Sequence, residues 1–323
     1  MRIEGGSGSG FNKGWTGSRA GLPTTLSFSN LHAVRTGWAA WIDPGLALVV
    51  TFLDIRNKMR KRFYIFIAIG LFLGYAGLIE PNWIKVRTYD LSIEGLPRDI
   101  TVVHIADVHT RRLGFREQEA IRDISRIDPD YVFMTGDLLK STSQLKSGLE
   151  FLSSLRARRG VYMVPGNADG TLVEAIERGD IPRAFSNGRI LMNESVDCGD
   201  FTLVGIDDAG TCRDDVAKAF SHVSGPKPIL VLTHFAAKTL LGKIGNIGDV
   251  YVAMVFSGHT HGGQIGSAPL VGRVPYAHTT TYIAGLYKLD GTYLNVTRGV
   301  GTNLFPLRFH CRPEIDVFHL KGK

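Results

Sequence analysis

Cysteine is scarce, three in 323 residues, which excludes a disulfide-stapled scaffold. No repeat of fixed period runs along the chain, and 38 glycines without a Gly-X-Y period exclude collagen. Charge imbalance is small: 37 Lys+Arg against 30 Asp+Glu gives +7. Most of that surplus is local, because Arg56, Lys58, Arg60, Lys61 and Arg62 stand together, so a diffuse nucleic-acid-binding face is not implied and no nucleic-acid partner is expected. What is abundant is apolar: 44% hydrophobic residues is too much for a disordered chain, and the length allows one large domain or two small ones.

The basic cluster abuts Phe63–Ile79, an apolar run without a charge. Seventeen residues at 1.5 Å each span about 25 Å, the short end of a bilayer crossing. Glu80 and Pro81 stop the run, and Trp83 stands where an interfacial anchor would. A core helix would carry a polar face, and no small-x-small cleavage site closes the run, so residues 59–82 read as one uncleaved transmembrane helix. With the positives before it, the N-terminus is expected in the cytoplasm and the bulk of the chain outside the cell membrane. Residues 1–58, with the low-complexity Gly5–Gly10, read as a poorly ordered extension, and Met59 reads as a natural start, which would make the upstream segment a start-site artefact.

The body, 88–323, alternates. Ile100–Ala106, Tyr131–Met134 and Val161–Val164 are strand-like runs, and Arg116–Ile127 and Leu145–Arg158 have helical spacing. That β-α-β-α-β order predicts an α/β domain with a mainly parallel sheet. Further strands are expected at Arg189–Asn193, Phe201–Ile206, Ile229–Thr233, Tyr251–Ser257 and Glu314–Leu320, with a hairpin around Asp290-Gly291. The second half therefore builds a second sheet.

Sites in open α/β sheets form beyond the carboxyl ends of strands. Here those ends carry Asp107 and His109, then Asp137, then Asn167, then His234, then His259 and His261. Oxygen and imidazole donors without thiolate suit two adjacent divalent ions of intermediate hardness (Mn²⁺, Fe or Zn²⁺) and argue against a single structural zinc. Asp137 is the expected bridge. Asp107, His109 and His261 would complete one site, and Asn167, His234 and His259 the other. Asp137, Asn167 and His234 are assigned catalytic as well as ligating roles, because paired ions about 3.5–4 Å apart can clamp a phosphoryl group and activate water.

These motifs (Asp107-x-His109, Gly136-Asp137, Gly166-Asn167, His234 and Gly258-His259-x-His261) resemble those of the calcineurin-like metallophosphoesterase superfamily. The resemblance covers about residues 98–320. Gly262-Gly263-Gln264, Gly205–Asp208 and the tail from Thr297 to Glu314 are similar to the membrane-associated, YkuE-like branch, itself related to the UDP-2,3-diacylglucosamine pyrophosphohydrolases of lipid A biosynthesis. The resemblance implies a four-layer α-β-β-α sandwich with two mixed sheets, a dinuclear metal site, and a membrane-anchored hydrolase of a lipid-linked or amphiphilic phosphate compound.

One departure stands out. The superfamily usually has His after the motif-three Asn; this chain has Ala168. Loss of a general acid worth about 10²–10⁴ in rate hurts alkoxide leaving groups most, so the chain leans toward a diphosphate or activated diester. The alternative is a catalytically degenerate, metal-binding membrane scaffold. Arg111, Arg112 and Asp169 are candidate substrate contacts, Asp169 otherwise a helix cap. His104 reads as a packed core histidine; His278 has no partner spacing, with lining the pocket as its alternative role. A Cys198–Cys212 disulfide would fit an extracytoplasmic domain.

Overall fold

The computed structural model describes residues 44–185, 187–248, 250–265, 280–303 and 305–323. His278 and the first 43 residues of the expected extension lie outside them. The chain divides into two units, Met1–Phe66 and Ile67–Lys323. The described part of the first is the beginning of helix α1 (Pro44–Gly74), which ends in the second. Residues 44–58, expected to lack order, are thus helical. Pro44 has the fixed φ that suits a first helical position, and the Lys58–Asp54 pair four residues apart adds support at 2.7 Å. A π turn (Tyr75–Ile79) and a 3-10 turn (Glu80–Asn82) follow. Thr51–Asn82 is the one stretch among the described residues long and apolar enough to cross a membrane.

The second unit holds two mixed sheets. The first runs β1 (Lys85–Ile93), β13 (Glu314–Gly322), β2 (Ile100–Ile105), β3 (Tyr131–Thr135), β4 (Gly160–Val164), β6 (Gly188–Ile190), β5 (Ala184–Phe185). The second runs β11 (Gly285–Leu289), β12 (Thr292–Val296), β10 (Val252–Ser257), β9 (Ile229–Thr233), β8 (Thr202–Ile206), β7 (Glu194–Asp197). Parallel pairs β2–β3–β4–β6 and β8–β9–β10–β12 form the two centres, with antiparallel strands toward the edges.

Side-chain alternation along these strands makes the layers. Val103, Val132 and Met134 face helices α2 (Phe115–Ile127), α3 (Leu145–Ser154) and α4 (Gly170–Glu177), meeting Ile124, Phe151 and Leu172. The intervening Val102, Tyr131 and Phe133 face the other sheet, where they meet Leu203, Leu230 and Phe256. On that sheet's far side Val204, Val231 and Val255 meet Phe220 of α5 (Val216–Phe220) and Leu240 of α6 (Lys238–Gly245). Three apolar interfaces separate four layers, the α-β-β-α sandwich expected.

Three local expectations need correction. Strand β1 carries no strong apolar run and is not among the expected strands; it is held by its parallel register with β13, from Lys85–Glu314 to Ile93–Gly322. The stretch Arg189–Asn193 is not one strand: Asn193 takes a left-handed φ of 54°, so β6 stops before it and β7 starts after it. No Cys198–Cys212 disulfide forms, both thiols being free. Cys198 precedes β8 and Cys212 follows it, so a strand of five residues, about 17 Å, stands between them.

Candidate metal centre

Each sheet sends its loops to the same place. Asp107 and His109 leave β2, Asp137 leaves β3, Asn167 leaves β4, His234 leaves β9, and His259 and His261 leave β10. The backbone ties the loops together first: the amides of Asp107 and His109 donate to the carbonyls of Gly136 and Asp137, both at 2.9 Å. His259 N–H donates to Asp107 Oδ2 at 2.9 Å, joining the two sheets.

Two groups result. Asp107, His109 and His261 bring ligand atoms within 4.8 Å of one another, and so do Asp107, Asp137 and His234. His109 Nε2 stands 3.1 Å from His261 Nε2, and His261 Nε2 is 3.6 Å from Asp107 Oδ1. Around the other group, Asn167 Oδ1 lies 3.1 Å from His234 Nε2 and 2.9 Å from His259 Nδ1. The Asp137 carboxylate spans them, Oδ2 at 3.5 Å from His109 Nε2 and Oδ1 at 3.4 Å from His234 Nε2. Asp107 belongs to both groups, a sharing that residue types alone did not reveal.

Tautomers suit ligation. His109 Nδ1–H donates to the Leu139 carbonyl at 3.0 Å and His234 Nδ1–H to the Thr135 carbonyl at 2.8 Å, which turns each Nε2 inward. Burial pushes His109 and His259 down to about 4 and His261 well below its usual range, so these rings stay neutral. Burial also raises the Asp107 carboxyl to about 7, against the attraction of His234. Burial opposes charge on His234 too, yet Asp137, Asp107 and Asp208 outweigh it and lift the ring to about 9. Asp107 Oδ1 is buried with no hydrogen-bond partner. A buried, unpaired carboxylate oxygen facing imidazole nitrogens is a cation site by its chemistry, and the donor set fits two divalent ions.

The backbone is bent to present these groups. Asp107, His109, Asp137, His259 and His261 all have φ between 46° and 72°. A left-handed conformation is uncommon for such residues and costs roughly 1–3 kcal/mol each, a strain that collects at functional sites. Close approach also demands glycine at Gly166, where a Cβ would meet the Asp137 amide at 2.5 Å.

The proposed substrate contacts are placed differently. Arg111 and Arg112 are exposed on the loop after His109. Asp169 is fully buried: Oδ1 accepts from Leu139 N at 2.9 Å, and Oδ2 from Gly166 N at 2.9 Å and Leu138 N at 3.3 Å. It ties the Asp137 loop to the Asn167 loop. Asp169→Asn, which turns a donor toward those N–H groups, is expected to weaken metal binding about 10–100-fold, measured by competition with a chromophoric chelator. Ala168 contributes its backbone N–H to Asp137 Oδ1 at 2.8 Å, and its methyl offers no proton. His104 is a core residue, its Nδ1 2.6 Å from Asn295 Oδ1 and its Nε2 2.9 Å from Thr135 Oγ1.

Supports invisible in the sequence pattern lie behind Asp107. Val300 N and Gly301 N donate to the Ala106 and Asp107 carbonyls at 3.0 and 2.6 Å. The buried Arg308 guanidinium makes five hydrogen bonds to the carbonyls of Gly301, Cys311, Arg298 and Gly299. Gly299-Val-Gly301 was the available signal, since glycine permits such an approach.

Comparison with known proteins accords with this geometry. The family model described as calcineurin-like phosphoesterase matches residues 100–263, just over half the chain. The uncharacterized metallophosphoesterase YkuE of Bacillus subtilis is 28% identical over 268 residues, covering 77% of this chain and 90% of its own. Phosphodiesterase YaeI of Escherichia coli is 28% identical over 266 residues, covering 76% and 92%. A zebrafish (Danio rerio) transmembrane protein with metallophosphoesterase domain is 28% identical over 260 residues, covering 73% and 57%. The chain therefore belongs to the calcineurin-like phosphoesterases, hydrolases of phosphoric esters that use divalent metal ions.

Proposed function

We propose that this chain is a membrane-anchored, two-metal hydrolase of a lipid-linked or amphiphilic phosphate compound, of the kind represented by UDP-2,3-diacylglucosamine. The observation that carries the dinuclear reading is Asp137, whose two oxygens face His109 on one side and His234 on the other. Asp107, His109, His261 and Asp137 would hold one ion; Asp137, Asn167, His234 and His259 the other. Bound there, the ions would supply Lewis acidity toward a phosphoryl oxygen and lower the pKa of water. The chain's own residues set the geometry. Leu139 and Thr135 carbonyls aim two imidazoles, Asp169 fixes the loops, and Asn167, which is exposed, marks the open side.

Residues 59–82 are assigned as the anchor and 88–323, extended to the start of β1 at Lys85, as the catalytic domain. The basic cluster ahead of the apolar run puts the N-terminus in the cytoplasm and the domain outside. The transmembrane relative and the apolar helix support anchoring. Manganese, iron and zinc all suit the donor set.

Ala168 supports a good leaving group, phosphate or nucleotide, which departs without a proton. Ala168→His is expected to raise hydrolysis of alkyl phosphate esters about 10²-fold while leaving diphosphate hydrolysis nearly unchanged, read from steady-state rates on both substrates. The whole reading is tested by elemental analysis of purified protein together with a monoester, diester and lipid diphosphate panel. Two bound metals without turnover of any of the three would sink it and favour the scaffold reading that Ala168 also motivates.

A further inference from the structure

The end of α1 is not a free helix. Phe309 packs edge-on against Phe72 at 4.9 Å between ring centres and against Tyr75 at 6.4 Å. Arg308 N–H donates to the Ala76 carbonyl at 2.8 Å, and a Cβ on Gly77 would meet Leu307 at 3.2 Å. Glu80, wholly buried, accepts from Cys311 N–H at 2.6 Å. Leu307, Arg308 and Phe309 therefore lie alongside residues 72–77.

Length then decides where a bilayer can be. Upstream of Phe72 only residues 63–71 are apolar without interruption, nine residues or about 13 Å. A hydrocarbon core is about 30 Å thick. Extending the span toward the N-terminus would immerse Arg62, Lys61, Arg60, Lys58, Arg56 and Asp54, at about 2.5–3.5 kcal/mol for each charged residue near the centre. Lipid must therefore reach over residues 72–79, and so over the loop that covers one side of them. The surface fits that position: Phe305 is 64% exposed, Leu78 74% and Ile79 54%. Trp83 beyond them, with the Arg312 guanidinium 3.9 Å over its ring, has the amphipathic make-up of an interfacial belt.

The same loop is bolted to the metal centre. Gln264, three residues past His261, donates to the Phe305 carbonyl at 2.8 Å and accepts from Asn303 N and Phe309 N at 2.7 and 3.1 Å. Cys311 Sγ–H faces the His261 carbonyl at 3.2 Å.

We propose that Phe305–Phe309 is a membrane-docking loop, seated in the lipid interface beside the anchor and holding the metal centre at the depth of lipid headgroups. This rests on the anchoring reading above and adds the surface through which a lipid-borne phosphate reaches the site.

The test uses the full chain in nanodiscs of phosphatidylcholine and phosphatidylglycerol, with Phe305→Trp and the emission it adds over the parent. Lipids brominated near the headgroup are expected to quench the added emission by more than half, and aqueous iodide to leave it almost unaffected. Emission open to iodide and indifferent to brominated lipid, in chain that stays with the nanodisc, overturns the docking loop and leaves the anchor standing. Chain that leaves the nanodisc overturns both. Should Phe305→Trp fold poorly, Pro306→Trp, exposed on the same loop, gives the same two outcomes.

Discussion

Asp137→Asn is expected to empty both metal positions and lower phosphodiester hydrolysis by about 10³-fold or more. The substitution keeps the volume and lets one side-chain atom still accept from Ala168 N–H. It removes a negative charge whose two oxygens lie 3.5 Å from His109 Nε2 and 3.4 Å from His234 Nε2. Paired cations supply several kcal/mol of transition-state stabilisation, and each 1.36 kcal/mol is tenfold in rate. Metal content per chain and the hydrolysis rate of bis(p-nitrophenyl) phosphate are the two readouts. A variant that keeps two ions and most of its rate would show that Asp137 does not bridge. A variant that loses both and still performs its role in cells would favour the scaffold reading.

Arg308→Met should be the most damaging change outside the metal centre. Arg308 is completely buried and feeds five hydrogen bonds into four carbonyls of the segment that backs Asp107. Methionine fills similar space but donates nothing. Each buried carbonyl left unsatisfied costs about 1–3 kcal/mol, with some relaxation toward water. A loss of about 4 kcal/mol follows, in the range that marks a named structural failure. At roughly 2–4 °C per kcal/mol for a unit of this size, Tm should fall by about 10 °C in a thermal unfolding scan of the metal-free protein. A shift of only a degree or two would mean that the loop from Arg298 to Cys311 is held by its backbone contacts alone.

Much of this molecule is legible in its sequence. The buried strands β2, β3 and β4 are short apolar runs, and their carboxyl ends carried the chemistry in plain view. What escaped reading did so for physical reasons. Strand β1 has a mixed, half-exposed pattern because it sits at a sheet edge, where its neighbour rather than its own periodicity fixes it. The break at Asn193 depends on one left-handed residue. Asp169 reads as a substrate contact or a helix cap, yet three backbone N–H groups occupy it, and backbone donors leave no trace in a residue pattern. Arg308 lies some 200 residues from Asp107 in sequence, and no local spacing connects them. The left-handed turns at five loop residues around the metal centre leave only a faint trace, since aspartate and histidine take positive φ more often than most residues but still seldom.

The position of β13 has a consequence for how the polypeptide is made. This strand lies between β1 and β2, pairing with one in parallel and with the other in antiparallel register. At ribosomal speeds of about 5–20 residues per second, the stretch emerging just after the apolar helix must wait on the order of ten seconds or more for the segment that completes its sheet. Until then β1 has no ladder and β2 is an open edge, so the nascent domain is tethered yet unfinished, and shielding by a chaperone would be of greatest use in that interval.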